Sequence, residues 1–328
     1  MFWPLNHRAS LRDAVKRLTY PATFVFLLGG LVNASQALDL GPLDGLPPPP
    51  GITAISLEYQ DRTSSGLIDN DTIGPIDGEI NRQALKLRLG HGFTLGSMPA
   101  YVYGELPLND PTLERATLST GATLADALAQ RGMELVGDDG VGDLALATAV
   151  WPYANREAGR FWGVAGYLVA PTGDYEAERT LEGVNLNPGG NRWIGVLQTG
   201  IHQRLGERWH WSVGSDVTVF EDNDEMRRLS GAVGEQEVEP YITYQTSLAW
   251  RAHPALTLAA SYYVDRGAES RIDGGDWASA VNRERYGLWL LGALSRETRF
   301  SLSYKSTIDD ASDFELKDNI QLRIIRLF

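Results

Sequence analysis

From Ile52 to Phe328 the chain alternates apolar and polar residues one for one, in segment after segment. "ITAISLEYQ" puts Ile55, Leu57 and Tyr59 on one side of an extended chain, and Ser56, Glu58 and Gln60 on the other. "NRQALKLRLG" opposes Leu85, Leu87 and Leu89 to Arg82, Lys86 and Arg88. "RWHWSVGSDVTVF" opposes Trp209, Trp211, Val213, Val217 and Val219 to His210, Ser212, Asp216 and Thr218, and "PALTLAASYYVD" repeats the pattern. "TRFSLSYKS" opposes Phe300, Leu302 and Tyr304 to Arg299, Ser301, Ser303 and Lys305. A period of two over so many residues predicts half-buried strands. Weaker segments at 98–106, 141–153, 160–170, 191–204, 238–251, 282–294 and 314–328 raise the total to about 12 strands, an even number.

The gaps between these segments alternate too. Long ones fall near 61–79, 107–140, 171–190, 222–237, 268–281 and 308–313; between them stand "HGFTLGS", "ANREAG", "LGE", "AHP" and "SRE". Transmembrane barrels sort their connections this way, with tight periplasmic turns and long outer loops. A soluble sandwich has no reason to sort loops by parity. Aromatics near strand ends, namely Trp151, Tyr153, Phe161, Trp162, Trp209, Trp211, Tyr241, Tyr244 and Trp250, fit interfacial belts. The chain ends on "DNIQLRIIRLF", where Ile320, Leu322 and Ile324 alternate with polar residues and Phe328 is last. An open sheet edge in hydrocarbon leaves main-chain groups unsatisfied, so a final strand must close against the first. Arg326 breaks the apolar side of this strand. The fold class expected is all-β: a single closed antiparallel transmembrane β-barrel spanning 52–328.

Three features place the chain. Arg8, Arg12, Lys16 and Arg17 precede the apolar run "PATFVFLLGGLV", and Ser35 and Ala37 suit cleavage before Leu38. Residues 1–37 therefore read as a secretory signal peptide, and residues 38–51, with Pro47 to Pro50, as a stiff leader. No later stretch of eighteen or so apolar residues suits a spanning helix. The formal charge is -13, and loss of the signal makes it more negative, which argues against a nucleic-acid partner. The expected location is a Gram-negative outer membrane. The expected partners are its lipid and lipopolysaccharide, the barrel-assembly machinery through the strand ending at Phe328, and a small solute.

An Arg or Lys on the lipid face near the midplane costs about 2–4 kcal/mol. Glu58, Gln60, Arg82, Lys86, Arg88, Asp216, Thr218, Arg299, Ser301, Ser303 and Lys305 are therefore expected to face the lumen, with Glu58 placed to pair with Arg82 and Arg88. "TLADALAQRG" predicts a short helix in the second long loop, capped by Thr123 and stopped at Gly132; it is either a lid or a solvated loop helix. Enzyme motifs are missing: the sequence has neither Gly-x-Ser-x-Gly nor His-Glu-x-x-His. His91, His202, His210 and His253 fall near short turns, away from the outer leaflet. "DNDTIG" at 69–74 starts like a calcium loop, but Ile73 and Ile80 occupy ligand positions. No catalytic residue, metal site or cofactor is expected.

Three stretches carry a resemblance: "GVGDLALATAVWPY" (140–153), "WGVAGYLVAPTGDYE" (162–176) and "NLNPGGNRW" (185–193). They resemble the Gly-x-Gly-Asp, Pro-Thr-Gly-Asp-Tyr and Asn-Pro-Gly-Gly-Asn-x-Trp elements of a family of outer-membrane channels labelled the MetA-pathway of phenol degradation family. That resemblance implies an outer-membrane channel for passive uptake of small hydrophobic or aromatic compounds. Physically, these stretches are turns entering and leaving strands. Asp143, Pro171, Gly173, Asp174, Asn187, Gly189 and Asn191 are the candidates for shaping the outer mouth. Two alternatives stay open: a closed barrel with a binding or structural role, and an outer-membrane barrel hydrolase.

Overall fold

A computed structural model describes residues 39–68, 76–118, 120–277, 280–310 and 314–328. The expected signal peptide and the "DNDTIG" segment lie outside the described residues, as do residues 311–313 of the last long connection. Twelve antiparallel strands close into one barrel. They are β1 (Thr53–Ile68), β2 (Ile76–Leu95), β3 (Met98–Leu118), β4 (Leu144–Asn155), β5 (Arg160–Ala170) and β6 (Ile194–Leu205), followed by β7 (Trp209–Phe220), β8 (Tyr241–His253), β9 (Leu256–Gly267), β10 (Val281–Ala293), β11 (Thr298–Asp310) and β12 (Phe314–Leu327). Each strand pairs with its sequence neighbours, and β12 pairs with β1 from Ala54 opposite Leu327 to Gly66 opposite Phe314.

The closure extends to the last residue. Thr53 N donates to Phe328 O at 3.2 Å, and Phe328 N donates to Thr53 O at 2.8 Å. The main-chain ladder of this seam thus runs as far as Phe328. Arg326 does face outward, at the short-turn rim, where it pairs with Glu297 at 2.6 Å and donates to Thr298 Oγ1 at 3.0 Å. A cation at the rim reaches headgroups and polar partners, so the break in the apolar side is tolerated.

The alternation sorts side chains across the wall. Leu87 is 52% exposed while its neighbour Lys86 is 8% exposed, which sets Leu87 toward lipid and Lys86 toward the lumen. Leu57, Leu146, Leu197, Leu248, Leu288, Leu322 and Ile324 continue the exposed apolar belt. Trp162, Trp209, Trp211 and Trp250 stand exposed near the short turns, with Trp209 stacked on Trp250 at 6.1 Å between ring centroids. Three aromatics expected in the belts are inside instead: Trp151, Phe161 and Tyr241 are buried. Trp151 keeps the inward parity of Ala147 and Ala149, and a bulge between Val150 and Tyr153 shifts the parity of β4 so that Tyr153 faces out.

Strand lengths differ from the sequence reading. β2 and β3 have 20 and 21 residues, or roughly 65–70 Å at strand rise, well beyond a bilayer core of about 30 Å. Residues 61–68, 76–79 and 107–118, read as loop, are strand that projects past the membrane. Polar residues occur on both faces there, so the period-two signal fades although the ladder continues. The turn between these two strands is only Gly96–Ser97, and Gly96 adopts φ 62, the sign that tight hairpins require.

Candidate functional site

Two inserts occupy the barrel. The inner one is the leader. Main-chain bonds between Gly51 N and Gly92 O (2.7 Å) and between Gly92 N and Ile52 O (2.8 Å) fix its base beside the short-turn end of β2. It then runs into the lumen. Trp151 Nε1 donates to Gly45 O at 2.9 Å, Ser212 Oγ to Pro42 O at 3.4 Å, and Leu40 N to Gln245 Oε1 at 3.1 Å. Leu40 lies against Gly200 and Gly214; a Cβ on Gly214 would come within 3.2 Å of it, a tight approach, and one on Gly200 within an ordinary 3.5 Å.

Arg285 Nη1 and Nη2 donate to the two carboxylate oxygens of the leader's Asp39 at 2.8 and 3.0 Å, and Lys305 Nζ donates at 2.8 Å. Arg285 also forks onto Asp265 at 2.6 and 3.0 Å, and packs over the Tyr263 ring at 4.7 Å. Burial alone would raise the Asp39 pKa, but the Arg285 and Lys305 charges hold it well below the usual carboxylate range.

The outer insert is the loop between β5 and β6. Residues 180–189 are all buried. Thr180–Leu181 pairs with Val184–Asn185 in a small hairpin, with Glu182 at φ 46 and Gly183 at φ 89 in the turn. The helix expected in the second long loop is present as α1 (Leu124–Ala129), with Thr123 Oγ1 accepting from Asp126 N and Gly132 at positive φ. Its apolar side is not solvated. Leu124 and Leu128 pack with Ile76, Ile80, Leu118, Leu181, Val184, Leu186 and Leu229 into a hydrophobic core at the outer end of the barrel. Arg82, on the lumen side of β2, donates to Asn185 O at 2.8 Å and ties this cap down.

The three motif stretches meet in the cap's hinge. Asp143 accepts from Gly173 N at 2.9 Å and Gly190 N at 2.7 Å, and Asp174 accepts from Val141 N at 2.8 Å. Burial pushes the Asp143 carboxyl up, opposed by the N–H groups of Gly173, Gly190 and Thr172. A Cβ on Gly173 would sit 2.7 Å from the Gly142 carbonyl carbon, and one on Gly189 would sit 3.0 Å from Gly173, so the three backbones stack only as glycines. Asn187 bridges Glu176 through both ends of its amide, at 2.8 and 3.0 Å. Asn191, at φ 52, donates to Asn223 at 3.0 Å. Pro171 is exposed just past the end of β5, where it interrupts no ladder.

Between leader and wall lies a cavity of about 440 Å³. Its lining is mainly apolar: Leu43, Leu46, Pro48 and Ile52 from the leader face Ile325, Leu327 and the rings of Tyr103, Trp151 and Tyr167. Arg88 edges it, stacked over Tyr103 at 4.4 Å and paired with Glu105.

Glu58, Gln60, Arg82, Lys86, Asp216, Thr218, Ser303 and Lys305 are buried inside the barrel, and Arg88, Ser301 and Arg299 are half-buried. Arg299 sits at the rim, donating to Ser295 O at 2.7 Å. The pairing expected for Glu58 is different. Register puts Lys86 and Arg323 opposite it, so it bonds to those at 3.6 and 2.5 Å, while Arg82 faces Arg62 and Arg88 takes Glu105. Asp39, Asp265, Arg283 and Arg285 escaped the sequence reading. In "NRERYGLW" the charges of β10 fall on both faces because Glu284 is also outward, bonded to Tyr262. The His pair is short-turn side as expected, with His202 Nε2 3.0 Å from His210 Nδ1.

A family model described as "Putative MetA-pathway of phenol degradation" matches residues 68–323. The chain belongs to this family. Among solved structures, the COG4313 outer membrane channel from Pseudomonas putida F1 superposes with TM-score 0.73 at 23% identity, over 88% of this chain and 100% of that one. That likeness establishes the shared barrel fold. The β-domain of the Bordetella autotransporter BrkA (TM-score 0.49, 12% identity, 85% and 100% covered) and the toluene transporter TodX of Pseudomonas putida (0.43, 10%, 85% and 89%) are more distant barrels and carry no weight for function. No curated protein matches the chain in sequence.

Proposed function

We propose that this family member is a passive outer-membrane channel that admits small hydrophobic or aromatic compounds to the periplasm. The observation that carries this reading is the apolar cavity of about 440 Å³ set inside an otherwise polar lumen. A pore for hydrophilic solutes has no use for Leu43, Leu46, Ile325 and Leu327 facing a shared space; a ring-sized apolar solute does. Outside, the exposed belt meets lipid and lipopolysaccharide, and the strand ending at Phe328 is the element offered to the assembly machinery.

The mechanism needs no energy input from this chain. A solute passes the outer cap, crosses the lumen and leaves past the leader, which among the described residues bonds to the wall at Asp39, Leu40, Pro42, Gly45 and the base at Gly51 and Ile52. The second reading, a closed barrel with a binding or structural role, draws support from the same two inserts. Uptake of radiolabelled toluene by intact Gram-negative cells distinguishes them. Cells carrying the chain should accumulate label faster than cells without it, and Ala165→Phe, which fills the cavity, should abolish the gain. Equal uptake with and without a correctly assembled chain would favour the closed barrel.

A further inference from the structure

Arg62 and Arg82 stand directly opposite each other in the β1–β2 ladder. Both occupy the lumen side, in line with Glu58, Gln60 and Ser64 on one strand and Ala84 and Lys86 on the other. Like charges directly opposite on one face of a sheet destabilise it, and burying a guanidinium without a counter-charge costs more. The Arg62 charge is further repelled by Arg283 and Arg285 from β10. Those two have carboxylates: Arg283 pairs with Asp310, and Arg285 with Asp265 and Asp39. Among the described residues no carboxylate forms an ion pair with Arg62 or Arg82. Asn319, opposite Arg62 on β12, accepts through its Oδ1 from Gln60. Tyr241, at the start of β8, is 3% exposed, and its hydroxyl has no hydrogen-bond partner among the described residues.

A repelling pair of cations thus faces the lumen with no carboxylate on it among the described residues. Its position is defined at both ends, by Asn185 of the cap on Arg82 and by the leader's Asp39 on Arg285. We infer that Arg62 and Arg82 form a binding site for the carboxylate of a small aromatic acid, an inference that rests on the channel reading for the aromatic part of its ligand. Guanidinium forks match a carboxylate bidentately. An oxyanion here would replace Arg–Arg repulsion with attraction. The site sits in a chain whose formal charge is -13, so overall charge gives no hint of it.

The test is calorimetric titration of the detergent-solubilised full chain with benzoate, its uncharged counterpart benzyl alcohol, and inorganic phosphate. Benzoate should bind, and Arg62→Gln should weaken it by about tenfold or more, with Arg62→Lys falling between. Heat-modifiable gel mobility confirms that each variant is a closed barrel. Without ligand, Arg62→Gln should also raise the unfolding temperature, because it removes a repulsion. Absent benzoate binding, equal binding in Arg62→Gln, equal binding of benzyl alcohol, or tighter phosphate than benzoate would each overturn the assignment. A failure of the channel reading is separable: bilayers without conductance reject the pore, while the titration still decides the site.

Discussion

Asp39 and Arg285, 246 positions apart in sequence, meet at 2.8 Å inside the barrel. Their contact joins the leader to the wall, and Lys305 reinforces it at 2.8 Å from the same carboxylate. Removing one partner of a buried ion pair costs about 3–5 kcal/mol. Asp39→Asn should therefore loosen the leader. The chain has no cysteine, so a single Cys at the buried Pro42 reports on this directly. A water-soluble maleimide should label Pro42→Cys slowly, and the Asp39→Asn double variant about a hundredfold or more faster.

The contact also has a pH dependence of known sign. The docked Asp39 pKa lies below its ordinary value, so docking is favoured fully above the ordinary carboxylate pKa of about 3.9 and weakens as pH falls further. Leader release, read as open events in bilayers, should be flat from neutral pH down to about pH 5 and rise below about pH 4. In Asp39→Asn that acid rise should be missing.

The outer mouth depends on Asp143. Its carboxylate holds Gly173 N and Gly190 N, one from each end of the cap loop. Hydrogen bonds to charged acceptors contribute about 1.5–3 kcal/mol each. Asp143→Ala should leave the barrel assembled but expose the loop between β5 and β6 to externally added protease on intact cells. Unchanged resistance would mean that the hydrophobic core around Leu186 and Leu128 holds the cap alone.

The wall makes a further prediction. Leu87→Arg places a cation on the lipid side, beside Leu57 and Leu106 in the ladder, and should destabilise the barrel by about 2–4 kcal/mol in urea titrations from vesicles. Lys86→Gln, one residue away but facing inward, should cost less.

How much of this was legible in the sequence follows from where water and lipid lie. Within the membrane Leu85, Leu87 and Leu89 must alternate with Lys86 and Arg88, so strands, closure and inward faces could be read directly. Above it, both faces of β2 and β3 are wet, and residues 107–118 looked like loop. The cap hairpin at Leu181–Val184 left only the dipeptide Glu182–Gly183 as its signal. Asp39 left none, because the pairing of a leader carboxylate with Arg285 and Lys305 depends on contacts between residues hundreds of positions apart. Glu58 went to Lys86 and Arg323 rather than Arg82 for a related reason: register, which residue types alone do not fix.

Single-channel recording in planar bilayers tests the central claim most directly. The intact chain should show a small conductance limited by its two inserts, and Asp39→Asn should show a larger one of longer duration. Silence from both proteins, with gel mobility proving closed barrels, would contradict a channel gated by its own leader.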